Sequence, residues 1–347
     1  MIKIVGKLTK MKNNLVGKSG EPQFGVLGKA ITDVNFLDFP LYSSMDKKLP
    51  EWRKRLRFNQ FQFVGAMNET YIFGLAIVNL QLVSNLFFYL YSFKSKQLKE
   101  FSSIVPLGLG TDMSTRPDEG EAKFSAFNAE AIISCESGGQ TRNLYARAKG
   151  AEVNLVLEAP AAFMPLRVCS GAGKNGWVYT QKAAGLRCQG KIVWDDEVIP
   201  FESAETSGSY DWSAGFMRRE TFWNWASFSG MLHDGRRIGL NLATGVNESG
   251  VTENGFWVGD HFEKVDFVQF QFDRQDVNRP WRVISTDGKV NLTFFPEGIR
   301  QERLNVYFLA SNFKQMFGKY EGYLKVNRHR IEIKDVPGFA EDHFARW

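Results

Sequence analysis

The feature that most constrains this chain is a hydrophobic pattern with a period of two residues. Apolar and polar residues alternate over much of residues 262–272 and again over residues 289–294. Successive side chains of a strand point to opposite faces, so this period predicts strands with one buried and one solvated face. The pattern favours an all-β protein with very few short helices.

Short turn signals separate these stretches. Dipeptides that contain Asn, Asp or Gly supply the positive φ angles that tight hairpins need. Several follow one another at intervals of about twenty residues, which is enough for two strands and two connections. They predict an antiparallel meander that closes into up-and-down barrels. The turn signals are Asn175-Gly176, Asp195-Asp196, Asp234-Gly235, Asn254-Gly255 and Asp287-Gly288.

The clearest helix prediction covers residues 311–318. Ser311 can cap the first turn and Gly318 can end the helix. In a helix, Phe313, Met316 and Phe317 would share one face.

The length of 347 residues favours two domains, since one domain typically takes about 100–200 residues. Residues 201–209 are small and polar and lie between two strongly patterned regions. We therefore predict one barrel domain over residues 1–205 and a second over residues 206–347. The chain has 30 Phe, 9 Trp and 10 Tyr, and this aromatic excess suits sheets and apolar cavities better than helical bundles.

Several functional classes are disfavoured. The net charge of +5 is dilute, and residues 52–57 are the single basic cluster, so we expect no nucleic acid partner. Cys135, Cys169 and Cys188 lack zinc-like spacing, so we expect no metal and no cofactor. Residues 171–176 match a dinucleotide motif by letters, but a strand pattern follows where a helix is required. The first seven residues lack an uninterrupted apolar stretch, which predicts no signal peptide and a cytoplasmic location.

The uncharged run from Thr70 to Phe93 has two interpretations. Its length is sufficient for a membrane-spanning helix. Its interior carries polar residues, among them Asn79 and Asn85, and it is rich in β-branched and aromatic residues. We therefore favour two consecutive strands with their apolar surface buried in a barrel or between sheets. Peripheral contact of this run with a membrane stays an open alternative.

Candidate ligand-binding residues crowd between Tyr210 and Asn254. A two-residue hairpin turn at Asp234-Gly235 would place residue 228 opposite Asn241. Trp223 and Trp225 would then share a face with Leu240 and Leu242, either as cavity walls or simply as barrel core. The predicted ligand-binding residues are Arg219, Thr221, Trp223, Trp225, Asn241 and Asn247.

Three residues are candidates for proton transfer. Asp211 lies beside Trp212 in the sequence, and Glu253 follows a strand end where polar groups could rim a barrel. His343 is flanked by Glu341 and Asp342 in a C-terminal run that stays apolar and aromatic to its last residue. That run predicts a docked C-terminus, and His343 serves there either as a structural latch or in an acid–base pair.

Five blocks of sequence resemble an uncharacterised family, domain of unknown function 2804. That family is distantly similar to two-barrel lipocalin-like proteins, which include carotenoid 1,2-hydratases and fungal Diels–Alderases. The resemblance implies two calycin-type barrels and an apolar small-molecule ligand, but no particular reaction. The acidic residues of the hydratases have no one-to-one match here, so Asp211 and Glu253 rest on chemistry alone. The blocks are residues 107–110, 210–212, 219–226, 238–242 and 338–347.

Three functions follow as hypotheses. The first is an enzyme that protonates an isoprenoid or acyl substrate and so hydrates, isomerises or cyclises it. The second is a carrier that binds a lipid or pigment unchanged. The third is a structural or partner-binding protein whose barrels are filled by side chains. The expected partner is an apolar small molecule, and the oligomeric state stays open.

Overall fold

The computed structural model describes residues 13–246, 250–306 and 309–346. Over these residues the chain forms two antiparallel sheets, with one α-helix, α1 (Glu51–Arg55), and two 3-10 turns. The turns are Phe36–Asp38 and Ser137–Gly139. Among the described residues, no helix is long and apolar enough to cross a membrane.

The first sheet has fourteen strands within the described part of the chain. Its main path runs β5-β4-β3-β2-β14-β12-β10-β9-β8-β7-β6, with β1, β11 and β13 paired beside it. Its strands are β1 (Gly25–Val26), β2 (Asn59–Met67), β3 (Tyr71–Asn79), β4 (Val83–Ser92), β5 (Leu98–Pro106), β6 (Thr111–Met113), β7 (Gly120–Ala126), β8 (Ala129–Glu136), β9 (Thr141–Ala148), β10 (Ala151–Glu158), β11 (Leu166–Ala172), β12 (Gly176–Trp194), β13 (Glu197–Pro200) and β14 (Ser207–Gly215).

The second sheet has nine strands over the same described ranges, in the order β18-β17-β16-β15-β23-β22-β21-β20-β19. The chain passes from one sheet to the other between Gly215 and Glu220. The domain division at residue 205 stays a prediction. The strands are β15 (Glu220–Met231), β16 (Arg237–Thr244), β17 (Asn254–Val258), β18 (His261–Val265), β19 (Val268–Gln271), β20 (Trp281–Ser285), β21 (Val290–Val306), β22 (Leu309–Val326) and β23 (His329–Arg346).

Each sheet curls around its own apolar core, which confirms the all-β, two-barrel prediction. The first core contains Phe73, Phe88 and Phe124, all almost fully buried. The second contains Phe228 and Trp281, which are equally inaccessible. Side chains of the chain itself therefore pack both interiors. A third buried cluster lies between the two sheets and joins them.

The uncharged run forms two strands, as predicted. β3 and β4 pair through residues 71–79 and 84–92, and both of their faces are buried. Phe73 and Leu75 contribute to the first core, whereas Ile72 and Ala76 lie in the cluster between the sheets. Because neither face meets water, the strands need no polar alternation.

The two sheets touch backbone to backbone at a pair of glycines. Gly185 adopts a φ of 77° at a bulge in β12, which strongly favours glycine. A Cβ on Gly239 of β16 would lie 2.1 Å from the carbonyl carbon of Ala184. Any side chain at Gly239 would push the sheets apart.

The C-terminal strand confirms the predicted docking, since β23 lies between β15 and β22 in the sheet. Phe339 is completely buried and Phe344 is half-buried. Trp347 lies outside the described residues.

The helix prediction for residues 311–318 is wrong. These residues belong to β22, which is hydrogen-bonded to β21 on one side and β23 on the other. Met316 faces the second core, and Phe317 faces the cluster between the sheets. Such opposite orientation of neighbours is a property of strands. Pairing along both edges outweighs the weak local preference for a helix.

One of the predicted turns is wrong. Asn254-Gly255 begins β17 rather than forming a turn. The buried Asn254 side chain accepts a hydrogen bond from the Ala243 amide and donates one to the Asp266 carbonyl. Most of residues 262–272, predicted to be strand, lie in β18 and β19. The local sequence does not distinguish an Asn whose side chain binds distant backbone groups from an Asn in a turn.

Candidate functional site

The candidate site is a cavity of about 300 Å³ between the two sheets. One side is formed by β2, β3, β4, β12 and β14 of the first sheet, and the other by β15, β21, β22 and β23 of the second. This volume is at the lower end of the range for small-molecule sites. Much of its wall is aromatic, from Phe61, Phe63, Phe87, Trp223, Trp225 and Phe313.

The strand register arranges the floor of the cavity in three rows. β15, β23 and β22 lie side by side, and alternate residues of each strand face the cavity. The first row is small and mostly polar, the second places a histidine between two aromatic rings, and the third contains a carboxylate. The rows are Thr221–Ala345–Ser311, Trp223–His343–Phe313 and Trp225–Glu341–Gln315.

A buried ion cluster forms one wall. The Lys182 ammonium lies 2.8 Å from a carboxylate oxygen of Asp211 and 2.8 Å from one of Glu253. It also lies 5.3 Å from the centre of the Trp225 ring, a cation–π contact. The two carboxylates outweigh the effect of burial and raise the pKa of Lys182 above its usual value. Asp211 and Glu253 thus share one buried cation.

Glu341 occupies a different environment on the floor. It is 4% exposed, and no described cation forms an ion pair with it. Its carboxylate accepts hydrogen bonds from the Gln315 amide at 2.7 Å and from the Trp223 indole at 3.2 Å. Burial raises the pKa of Glu341 to about 7, and these bonds and the Arg300 charge only partly oppose that rise. Glu341 can therefore both hold and release a proton near neutral pH.

His343 lies one row from Glu341, between two aromatic rings. The ring centre of Trp223 is 4.2 Å away and that of Phe313 is 4.9 Å away. Its Nε2 is 3.0 Å from the Ser311 hydroxyl. Burial, with the nearby Arg300 charge, lowers the pKa of His343 to about 3, so the imidazole is neutral at physiological pH.

Arg300 brings a second cation to the cavity wall. Its Nε donates to a Glu100 carboxylate oxygen at 3.0 Å. The guanidinium lies over the rings of Phe87 and Phe313, at 4.6 Å and 5.0 Å from their centres. It is thus held by contacts from both sheets.

The structure brings six of the predicted site residues to this cavity. They are Asp211, Glu253, His343, Thr221, Trp223 and Trp225.

Two other predicted residues lie elsewhere. Arg219 is exposed and does not line the cavity, whereas its neighbour Arg218 does. Asn241 lies behind the wall, where its side-chain oxygen accepts a hydrogen bond from the Trp225 indole at 2.8 Å. Asn247 lies outside the described residues.

The position of Asn241 corrects the predicted hairpin register. Three residues, 233–235, separate Leu232 from Arg236, whose carbonyl accepts a bond from the Leu232 amide. Phe228 therefore faces Leu240, and residue 227 faces Asn241. A one-residue shift reverses every face assignment in a strand pair. Asn241 consequently shares the Trp225 face, whereas Leu240 joins the second core.

Sequence reasoning missed Lys182 and Arg300 and read Glu341 merely as a neighbour of His343. A signal existed for Lys182, since it is the single charged residue between Gly176 and Leu186. A charge within an apolar strand indicates a buried partner. Nothing in the sequence identifies which distant carboxylates provide it.

A more open groove of about 900 Å³ lies on the outer face of the first sheet. It is lined by residues of β8, β9, β10 and β12, including Tyr145 and Lys191. The described residues that line this groove do not combine an acid, a base and an aromatic wall in the way that the cavity does. We therefore place the candidate site in the cavity.

Solved structures with the same architecture share little sequence with this chain. An AttH-like protein of Nitrosomonas europaea is 13% identical with a TM-score of 0.52, covering 92% of this chain and 98% of its own. Kievitone hydratase of Nectria haematococca is 9% identical with a TM-score of 0.51, covering 93% and 98%. The protein CghA is 11% identical with a TM-score of 0.52, covering 96% of each chain. These similarities show the two-barrel, lipocalin-like fold.

The sequence has no match among curated proteins. A family model matches nearly the entire chain, from residue 7 to residue 347. The chain therefore belongs to the family described as Domain of unknown function (DUF2804).

Proposed function

We propose that the protein binds an apolar small molecule between its two sheets and that Glu341 transfers a proton to it. The observation that carries this proposal is the contrast between the buried acids of the cavity. Asp211 and Glu253 share the Lys182 ammonium, whereas Glu341 has hydrogen-bond donors but no paired cation among the described residues. Glu341 is thus the group placed to act as a general acid.

The surroundings of Glu341 suit the protonation of a carbon–carbon double bond. The proton adds to one alkene carbon and leaves a carbocation on the other. The rings of Trp225, directly opposite Glu341 on β15, and of Trp223, two residues along the same strand, can stabilise this positive charge. Attack by water or by a second double bond, followed by return of a proton to Glu341, completes a hydration or a cyclisation. Direct loss to Glu341 of a proton from a carbon next to the cation completes an isomerisation.

Two structural neighbours support this class of chemistry. One is named as a hydratase of kievitone, and CghA has also been solved with Sch210972, at 10% identity and a TM-score of 0.51. Both have the fold described above. The aromatic wall of the present cavity suits an apolar ligand equally well.

The test begins with the small molecules that the purified full-length protein retains, identified by mass spectrometry. The wild type, Glu341→Gln and the control Glu302→Gln are then incubated with each molecule. Glu302 also lines the cavity but is exposed. We expect conversion by the wild type and the control, with a loss of at least a hundredfold in Glu341→Gln, the usual size of a general-acid contribution.

Three outcomes contradict the proposal in different ways. A stoichiometric ligand that none of the three proteins converts favours a carrier over an enzyme. Conversion at equal rates by the wild type and Glu341→Gln assigns the proton to another group. Failure to retain any apolar molecule would remove the basis for both the enzyme and the carrier.

A further inference from the structure

Besides the Gln315 Oε1 in the third row, two polar atoms in the first two rows of the cavity floor have no hydrogen-bond partner among the described residues. They are the Thr221 hydroxyl oxygen and the His343 Nδ1, and both atoms are buried. Thr221 is 7% exposed, and both residues line the cavity. A buried polar atom without a partner costs about 1–3 kcal/mol. Such atoms in a binding cavity therefore indicate where a polar group of a ligand belongs.

The register makes Thr221 and His343 diagonal neighbours on β15 and β23. Thr221 lies opposite Ala345 on β23, and His343 is two residues along the same strand. Diagonal neighbours of this kind lie about 7–8 Å apart, close enough for one small group to reach both side chains. Ala345 between them has no side chain beyond its Cβ, which leaves a recess in the floor.

The chemistry of the pair selects a neutral hydroxyl. The buried imidazole is uncharged, and its Nε2 contacts the Ser311 hydroxyl, which can donate or accept. The Nδ1 is then a donor or an acceptor, and the Thr221 hydroxyl can be either. A ligand hydroxyl can also donate and accept, so it satisfies both atoms in either tautomer. Neither Thr221 nor neutral His343 supplies a charge to balance an anion, and the nearby Arg300 guanidinium is already paired with Glu100.

We propose that Thr221 and His343 bind a hydroxyl oxygen of the ligand, so the cavity takes an apolar alcohol or phenol. This inference rests on the proposed function, because it concerns the same cavity. It adds that one hydroxyl is held in the first and second rows of the floor. The apolar body then lies over the third row, next to Glu341 and Trp225.

The test uses a matched pair of probes, geraniol and the hydrocarbon in which a hydrogen replaces its hydroxyl. Their affinities are measured by displacement of N-phenyl-1-naphthylamine from the full-length protein. Two hydrogen bonds predict that geraniol binds about tenfold more tightly than the hydrocarbon. Thr221→Val and His343→Phe should each reduce this preference and leave the affinity for the hydrocarbon nearly unchanged.

Val78→Ala is the matched control, because Val78 lines the same cavity without a polar atom. It should weaken both probes by the same factor. Equal affinity of the wild type for the two probes would overturn the hydroxyl site while leaving apolar binding intact. A preference that survives in both Thr221→Val and His343→Phe would also overturn it. If neither probe binds, the proposed function fails and the hydroxyl site with it.

Discussion

The replacement Glu341→Gln gives a sharp test of the buried acid through the free energy of unfolding. The ordinary pKa of a Glu side chain is 4.5, and burial raises that of Glu341 to about 7. The folded state therefore binds more protons than the unfolded state between these two values. Folding stability from this group is present at low pH and is lost as the pH rises through this window.

The expected size follows from the difference between the two pKa values. Each pKa unit corresponds to about 1.4 kcal/mol, so full ionisation of Glu341 costs about 3 kcal/mol. Most of this cost accrues between roughly pH 5 and pH 8. Glutamine has nearly the same shape and does not ionise. The wild type should therefore lose stability relative to Glu341→Gln by about this amount as the pH rises.

The assay is chemical denaturation of both proteins near pH 5, 6, 7 and 8, followed by tryptophan fluorescence and circular dichroism. The control is Glu302→Gln, an exposed glutamate of β21 whose carboxylate meets water before and after unfolding. The free energy of unfolding of Glu302→Gln should change with pH in parallel with that of the wild type. If Glu341→Gln also runs parallel to the wild type, the Glu341 carboxyl is not a proton donor near neutral pH.

Three other changes test the surrounding structure. Lys182→Met removes the cation paired with Asp211 and should lower the free energy of unfolding by about 3–5 kcal/mol at neutral pH. Chemical denaturation should show a smaller loss when Asp211→Asn is combined with it. Gly239→Ala forces a Cβ into the backbone of Ala184 and should cost about 3 kcal/mol or prevent folding; an unchanged melting temperature would contradict the close approach. Burial lowers the pKa of His343 from 6.5 to about 3. The free energy of unfolding should therefore decrease as the pH falls below 6.5, because the unfolded state binds the proton more readily. Relative to His343→Phe, the wild type should lose about 2 kcal/mol between neutral pH and about pH 5 in the same denaturation assay.

The all-β class followed directly from the period of two and from the spacing of turn residues. Both are local properties, because a strand alternates its side chains wherever it lies. The uncharged run was likewise interpretable as two strands with both faces buried, and β3 and β4 confirm this. Local pattern failed at β22, where pairing along both edges outweighed a weak helical signal.

The position of the cavity was decided only by the tertiary structure. Alternation shows that Trp223 and Trp225 share a face, but not whether that face meets a barrel core or another sheet. A loop one residue longer than predicted moved Asn241 onto the Trp225 face. Loop length changes register, and a single step reverses all faces.

The charges of the site were likewise decided only by the tertiary structure. The sequence contains Glu341 beside His343, but its hydrogen-bond donor Trp223 lies 118 residues away. Lys182 contacts Asp211 of the adjacent strand and Glu253, which directly precedes β17 of the other sheet. The protonation of a carboxyl group depends on burial and on nearby charges within a few ångströms. Strand alternation can be read from neighbouring residues, whereas the proton on Glu341 is set by groups that only folding brings together.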